Sequence, residues 1–429
     1  MRNGTAVVDL DVTQPLLSLT GFESYTDAEV LCRLREQPLG FVRAPLERGR
    51  LAVDLALRDL LSRHVRAAGV ILAERAIASG RPPRWPDAGA LIQSTVPPAP
   101  SGPLATVAVC ASGRLPRLRR CLDAIAGLDY RPLDVLVVDR ATTSDIEAML
   151  RAEYPDVRYA RASGAGVEAA RELAFAEGRG DILAFTVDDA VVDRYWISSI
   201  VRAFLGDPEV MVVTGLVVPH ALRAGARRLS SQAASESFRR HWYRAAIDRR
   251  PVTADPFAAS PNVAFWRSAF SEGAAPEAIH TTLYEPSAMV KCDSVNGVGT
   301  QAASSRPDAW LRDPRRIVRR TAIASRQIDL ADPMRAISDA TTDARLRATV
   351  LWEGARLGDV SIDHHGAVIS AAWLTDAIAQ ELTTEVLDAH TGLGDAVLWS
   401  TVMSTMARAL MPAIEASRRE RRRHLSEAA

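Results

Sequence analysis

Ile182–Asp193 reads ILAFTVDDAVVD: four apolar residues run into Thr186 and Val187, and two carboxylates follow at Asp188 and Asp189. An apolar run that ends in acids reads as a buried strand whose C-terminal end emerges into a cleft. Open α/β sheets take their ligands at such strand ends. A carboxylate pair there offers hard oxygen donors suited to Mg²⁺ or Mn²⁺ with a phosphate. The same residues also read as a strand ending in a turn, with Asp188 or Asp189 capping the next helix. The stretch by itself leaves both readings open.

Its surroundings alternate strand and helix. Thr106–Cys110 is a strand candidate, followed by a loop at Ala111–Pro116 and an apolar helix stripe of Leu118, Cys121, Leu122 and Ile125. Val135–Asp139 is a second strand ending in an acid, with a helix expected from about Ser144. Val157–Ala160 is a third strand, and Val167, Ala170, Leu173 and Ala174 mark the next helix. After the central strand come a stripe of Ile197, Ile200, Val201 and Phe204 and a strand at Val210–Val218. This order predicts an α/β domain with a mostly parallel sheet and helices on both sides. Further on, Ser260–Phe270 reads as a turn entering a short helix.

At 429 residues the chain predicts two or three domains. Its 52 basic and 52 acidic residues cancel, so no global field recruits nucleic acid. Cys32, Cys110, Cys121 and Cys292 are scattered without zinc-like spacing, which points to a reducing, cytoplasmic setting. There is no uninterrupted apolar window of about 18 residues to span a membrane, and the first residues lack a signal-peptide core.

The boundaries expected from composition are a first α+β module at 1–80, a linker at 81–104 carrying seven prolines, a central domain at 105–295, a linker at 296–340 and a C-terminal α+β module at 341–429. Strands are expected at Val30–Leu34 and Leu39–Val42 around a turn at Glu36–Pro38. The two modules read as copies: Leu34, Leu39, Gly40 and Val42 recur as Trp352, Leu357, Gly358 and Val360 at identical spacing, and Leu60 falls opposite Ile378. Copies of this kind can pack on each other or dock a protein partner. His364 and His365 are expected at a hairpin tip. The terminal helix, roughly Ala396–Arg423, ends in SRRERRRHL; it reads as a docked helix with a solvated basic end, with peripheral membrane contact as the alternative.

The central segment resembles the family 2 glycosyltransferases, which have the GT-A fold. Four stretches carry the resemblance: VAVCASGRLPRLRRCLDAIAGLDY (Val107–Tyr130), LDVLVVDRATTSD (Leu133–Asp145), GVEAARELAFAEGRGDILAFTVDDAVVDRYWI (Gly166–Ile197) and VTGLVVP (Val213–Pro219). It implies a nucleotide-diphosphate sugar donor held with Mg²⁺ or Mn²⁺. By the same resemblance Cys110, Ala111 and Arg114 line the base and ribose, Asp139 accepts from the nucleobase, and Arg171 approaches the donor. Asp189 ligates the metal, and Asp188 contacts the ribose or shares the metal. For Asp139 a turn cap, and for Arg114 and Arg171 a solvated surface role, stand as alternatives.

The sequence also departs from the family. Val187 replaces the first of three acids, Arg140 follows Asp139 where Asn is common, and Glu172 follows Arg171. The Glu-Asp pair that carries the catalytic base in inverting members has no counterpart between Trp266 and Leu283, where Glu272 and Glu277 are the acids. The expected function is sugar transfer from a nucleotide-diphosphate donor to an acceptor hydroxyl, by a hexosyltransferase of inverting type. The alternative is a catalytically degenerate relative that binds a nucleotide sugar or a partner without turnover.

Overall fold

The computed structural model describes residues 4–12, 19–63, 65–79, 102–141, 145–162, 167–208, 210–222, 245–251, 261–270, 279–292, 323–340, 345–364, 368–391 and 394–426. The proline-rich stretch 81–101, Ser144, Glu272 and Glu277, and the polar stretch 296–318 lie outside them. The chain divides into two compact units: one built from Met1–Val96, Ala221–Trp242 and Asp313–Ala429, the other from Pro97–His220 and Tyr243–Arg312.

The first unit opens with β1 (Thr5–Asp11), β2 (Asp27–Leu34), β3 (Gln37–Glu47) and β4 (Arg50–Leu51), then α1 (Val53–Arg63) and α2 (Val65–Ser79). β1 pairs parallel with β2, and β2 antiparallel with β3. The strands are longer than the apolar pattern alone marked, and the turn sits at Arg35–Glu36, because the polar Gln37 already pairs with Leu34. Alternate residues Ala6, Val8 and Leu10, Val30 and Cys32, and Leu57 and Leu60 close one core.

The second unit runs β5 (Ala105–Ala111), α3 (Leu115–Ala126), β6 (Leu133–Asp139), α4 (Ile146–Glu153), β7 (Arg158–Arg161), α5 (Val167–Glu177), β8 (Ile182–Val187), β9 (Val191–Val192), α6 (Trp196–Gly206) and β10 (Val210–Val218). β11 (Ala221–Leu222) belongs to the first unit, where it pairs antiparallel with β1. β12 (Ala245–Pro251), β13 (Val263–Trp266) and β14 (Ile279–Lys291) complete the second unit. The sheet order is β12-β14-β10-β13-β8-β5-β6-β7, with β9 paired to β14. β7, β6, β5 and β8 are parallel, while β13 inserts antiparallel between β8 and β10. Residues 263–266, expected to enter a helix, are therefore a strand, with a 3₁₀ turn only at Arg267–Phe270. Burial in mid-sheet explains the change: Val263, Ala264 and Phe265 are all buried there.

Period-two alternation builds both faces of this sheet. Val107, Val109, Ile182 and Ala184 face one side with Leu118, Leu122 and Ile125 of α3 and Ile197 and Ile200 of α6. Ala108, Cys110, Leu183 and Phe185 face the other with Ala170 and Ala174 of α5. The domain is thus an α/β sheet covered on both faces.

The chain then returns to the first unit with β15 (Ile323–Asp329), β16 (Arg345–Trp352), β17 (Ala355–Asp363), α7 (Ala371–Glu381), α8 (Thr383–Thr391) and α9 (Asp395–Ser426). β15 lies inside the stretch expected to be a linker; its alternating burial is that of an amphipathic strand. β15 pairs parallel with β16, and β16 antiparallel with β17, as in the first module. Each element begins 318 residues after its counterpart: Ile323 after Thr5, Arg345 after Asp27, Ala355 after Gln37, Ala371 after Val53, Thr383 after Val65. The turns match as well. Arg35 and Glu353 both have positive φ, and their N–H groups donate to Asp11 and Asp329. α9 lies against α1, placing Leu410 and Ile414 in the core of the first module. His364 follows β17 on the way to α7 rather than sitting at a hairpin tip. Among the described residues no helix is long and apolar enough to cross a membrane.

Candidate active site

The connections of the second unit fix where a ligand belongs. From β5 the chain moves outward to β6 and β7, then crosses back through α5 to β8 on the other side of β5. The strand order reverses between β5 and β8, so the crevice at their C-terminal ends is the topological switch point. Ser112 leaves β5 there, and Asp188 and Asp189 leave β8.

Both acids are buried, at 6% and 4% exposure. Asp188 spans the crevice: its Oδ2 accepts from the Ser112 N–H and from the Ser112 hydroxyl, each at 2.7 Å. Asp189 turns toward other partners. The Cys292 thiol, one residue past β14, donates to its Oδ1 at 3.1 Å, and an Arg117 guanidinium nitrogen stands 3.6 Å from its Oδ2. The His220 ring lies 3.4 Å from the Asp189 carbonyl oxygen.

Arg117 occupies the first turn of α3, after the Gly113 turn (φ 94°) and Pro116. Its side chain keeps about a third of its surface in solvent (35%), while the Asp189 side chain keeps almost none (3%). The arginine thus joins a buried charge to the open edge. Arg114, just before α3, is exposed.

Asp139 closes β6. It is fully buried, and its Oδ1 accepts from the Ala141 N–H at 2.9 Å. Its Oδ2 accepts from the Tyr159 hydroxyl at 3.0 Å and from Arg161 at 3.2 Å. The carboxylate therefore caps the turn and ties β6 to β7. Arg171 lies on the α5 face, with its guanidinium carbon 5.5 Å from the Phe185 ring centroid. Cys110 and Ala111 are buried at the end of β5. Burial raises the Cys110 thiol pKa, and the positive Arg171 and Arg140 offset this only in part. The structure brings Asp188 and Asp189 to one point, and holds Asp139 and Arg171 in contacts of their own.

Ser112 lies within the Ala111–Arg114 loop expected along the base and ribose, whereas the sequence alone names neither Arg117 nor Cys292 for the site. Arg117 carried a weak signal, as an arginine at the third helical position behind a glycine turn. Cys292 carried none, because it stands 103 residues from its partner.

The oxygen donors have the right chemistry for a divalent cation. As they stand, however, Asp188 is engaged by Ser112, and Asp189 by a thiol and a guanidinium. The pair does not fit a cation unless these partners are displaced. Among the described residues no group of three or more His, Cys, Asp or Glu is placed to hold a metal.

Residues 106–273 match the model of the family "Glycosyl transferase family 2". Among curated proteins, none matches the chain. Among solved structures, a mannosyltransferase from Pyrobaculum calidifontis, in complex with GDP-Man and Mn²⁺, is 18% identical at a TM-score of 0.32, over 53% of this chain and 68% of that one. S. aureus TarS (1–349) is 12% identical at 0.32, over 44% and 60%. GalNAc-T7 with UDP, GalNAc and Mn²⁺ is 13% identical at 0.32, over 44% and 43%. The chain thus spans less than two thirds of the second and third of these proteins. The family match covers 168 of the chain's 429 residues, so it is the central segment of this chain that is similar to the family 2 glycosyltransferases.

Proposed function

We propose that the protein transfers a sugar from a nucleotide-diphosphate donor to an acceptor hydroxyl, as an inverting hexosyltransferase. The observation that carries this reading is the acidic pair at the β5–β8 switch point within the family 2 segment. The donor's nucleoside lies along Cys110, Ala111 and Arg114, with its diphosphate beside Asp188, Asp189 and Arg117. Of these groups the Arg117 guanidinium is the cation, and it neutralises charge that develops on the departing diphosphate.

The acceptor hydroxyl must lose its proton as it attacks, so a general base has to come within hydrogen-bond reach. Trp266–Leu283 carries no Glu-Asp pair to supply one. That observation favours a second reading, a relative that binds donor without turnover. One experiment separates them: incubation with UDP-, GDP- and dTDP-sugars, following binding heat and free nucleotide. Binding with nucleotide release supports transfer or donor hydrolysis. Binding without release supports the second reading. Absence of binding to any donor refutes both.

A further inference from the structure

The Asp189–Arg117 pair suggests a different source for the positive charge at the diphosphate. A divalent cation at this edge would neutralise the acids and bridge them to the donor's phosphates. Here a protein cation already stands 3.6 Å from the Asp189 carboxylate, and Cys292 donates to the other oxygen. Asp188 is likewise held, by two hydrogen bonds from Ser112. Both acids thus act within the protein as anchors: one fixes the loop after β5, and the other fixes Arg117.

We infer that Arg117 supplies the charge that binds the donor diphosphate, so that this domain takes its nucleotide without a divalent metal. Three features support it. The guanidinium is planar, permanently charged and forked, and matches phosphate oxygens in pairs. Its side chain is 35% exposed while that of Asp189 is 3% exposed, so one flank rests on the buried acid and the other faces the open edge. It rides on the first turn of a helix, whose amide end adds partial positive charge toward an anion. A guanidinium held by a buried carboxylate is preorganised, so less side-chain freedom is lost when phosphate arrives. The inference rests on the proposed donor binding.

The test is calorimetric titration of the full chain with UDP, GDP and dTDP, in EDTA and again with Mn²⁺. At least one nucleotide is expected to bind in EDTA, with affinity changed less than about threefold by Mn²⁺. Arg117→Ala should weaken that binding by about tenfold or more in EDTA, with Arg117→Lys intermediate. Asp189→Asn keeps the shape and removes the anion that holds the guanidinium; binding in EDTA should persist, weakened by less than in Arg117→Ala. Circular dichroism and a thermal melt establish that each variant is folded. Wild-type binding that appears only with Mn²⁺ overturns the inference and leaves the proposed function standing. So does unchanged binding in folded Arg117→Ala. No binding to any nucleotide in either condition overturns the inference together with the donor-binding reading.

Discussion

The indole N–H of Trp196 donates to the Oδ1 of Asn262 at 2.8 Å, with both side chains buried. The same amide donates to the carbonyls of Leu216, at 3.1 Å, and Ala288, at 2.7 Å. One asparagine therefore joins α6, β10 and β14. Asn262→Ala would strand a buried donor and two buried acceptors. A loss of about 3 kcal/mol or more in urea unfolding is expected.

Gly215 lies at an irregularity in the parallel pairing of β10 with β14, and a Cβ there would land on the Ala288 carbonyl oxygen and crowd the Asn262 amide. Gly215→Ala should cost about 3 kcal/mol, or leave the protein insoluble. Gly206, at the end of α6, meets nothing within 4 Å. Gly206→Ala is the matched control, expected within about 0.5 kcal/mol of the wild type by the same denaturant titration.

Asp329 is held below the ordinary carboxylate value, first by the Ala331 N–H and then by those of Gly354 and Glu353, against the opposing effect of burial. A depressed pKa means that its contribution is complete at neutral pH. It fades as pH falls below the normal carboxylate value and through the lower folded value. Asp329→Asn should lose about 1 kcal/mol or less at pH 7, and the loss should shrink toward zero in acid. Thermal melts across a pH series read the difference.

All four cysteines are buried. Burial, the largest cause in each case, drives the thiols of Cys32, Cys110 and Cys121 upward from their ordinary pKa. Reaction with a thiol reagent at neutral pH should therefore follow unfolding, with no rapid phase from any of these three. A rapid phase in the native protein that Cys121→Ser or Cys110→Ser removes would contradict the packing of the central sheet.

Leu410 and Ile414 of α9 are buried in the same core as Leu57 and Leu60. Leu410→Ala should cost about 2–5 kcal/mol. The loss should appear in the unfolding transition of the unit that contains β1–β3. Domain-resolved hydrogen exchange can assign it.

The central strands were legible because their apolar runs are long and end in acids, as at Val135–Asp139 and Ile182–Asp189. Val263–Trp266 was not, since four residues between a turn and a 3₁₀ segment show no period. Ile323–Asp329 was missed because exposed and buried residues alternate within a polar stretch, so composition outweighed pattern. Two carboxylates on one strand end are adjacent in sequence and could be read. The Arg117–Asp189 and Cys292–Asp189 contacts join residues 72 and 103 positions apart, and Arg117 is one of several arginines in Arg114–Arg120. Only the sheet's crossover brings them to one edge.

The placement of Leu410 and Ile414 has a consequence for synthesis on the ribosome. β1, β2 and α1 are made early, yet their apolar face is completed by a helix made after the whole central domain. The loop to be closed is long, but closure entropy grows only with the logarithm of its length, so the equilibrium cost is modest and the delay is the larger burden. The intervening domain is nearly continuous in the chain and can close first. The core that β1, β2 and α1 begin can therefore be completed only once α9 has been made, after the central domain has been translated.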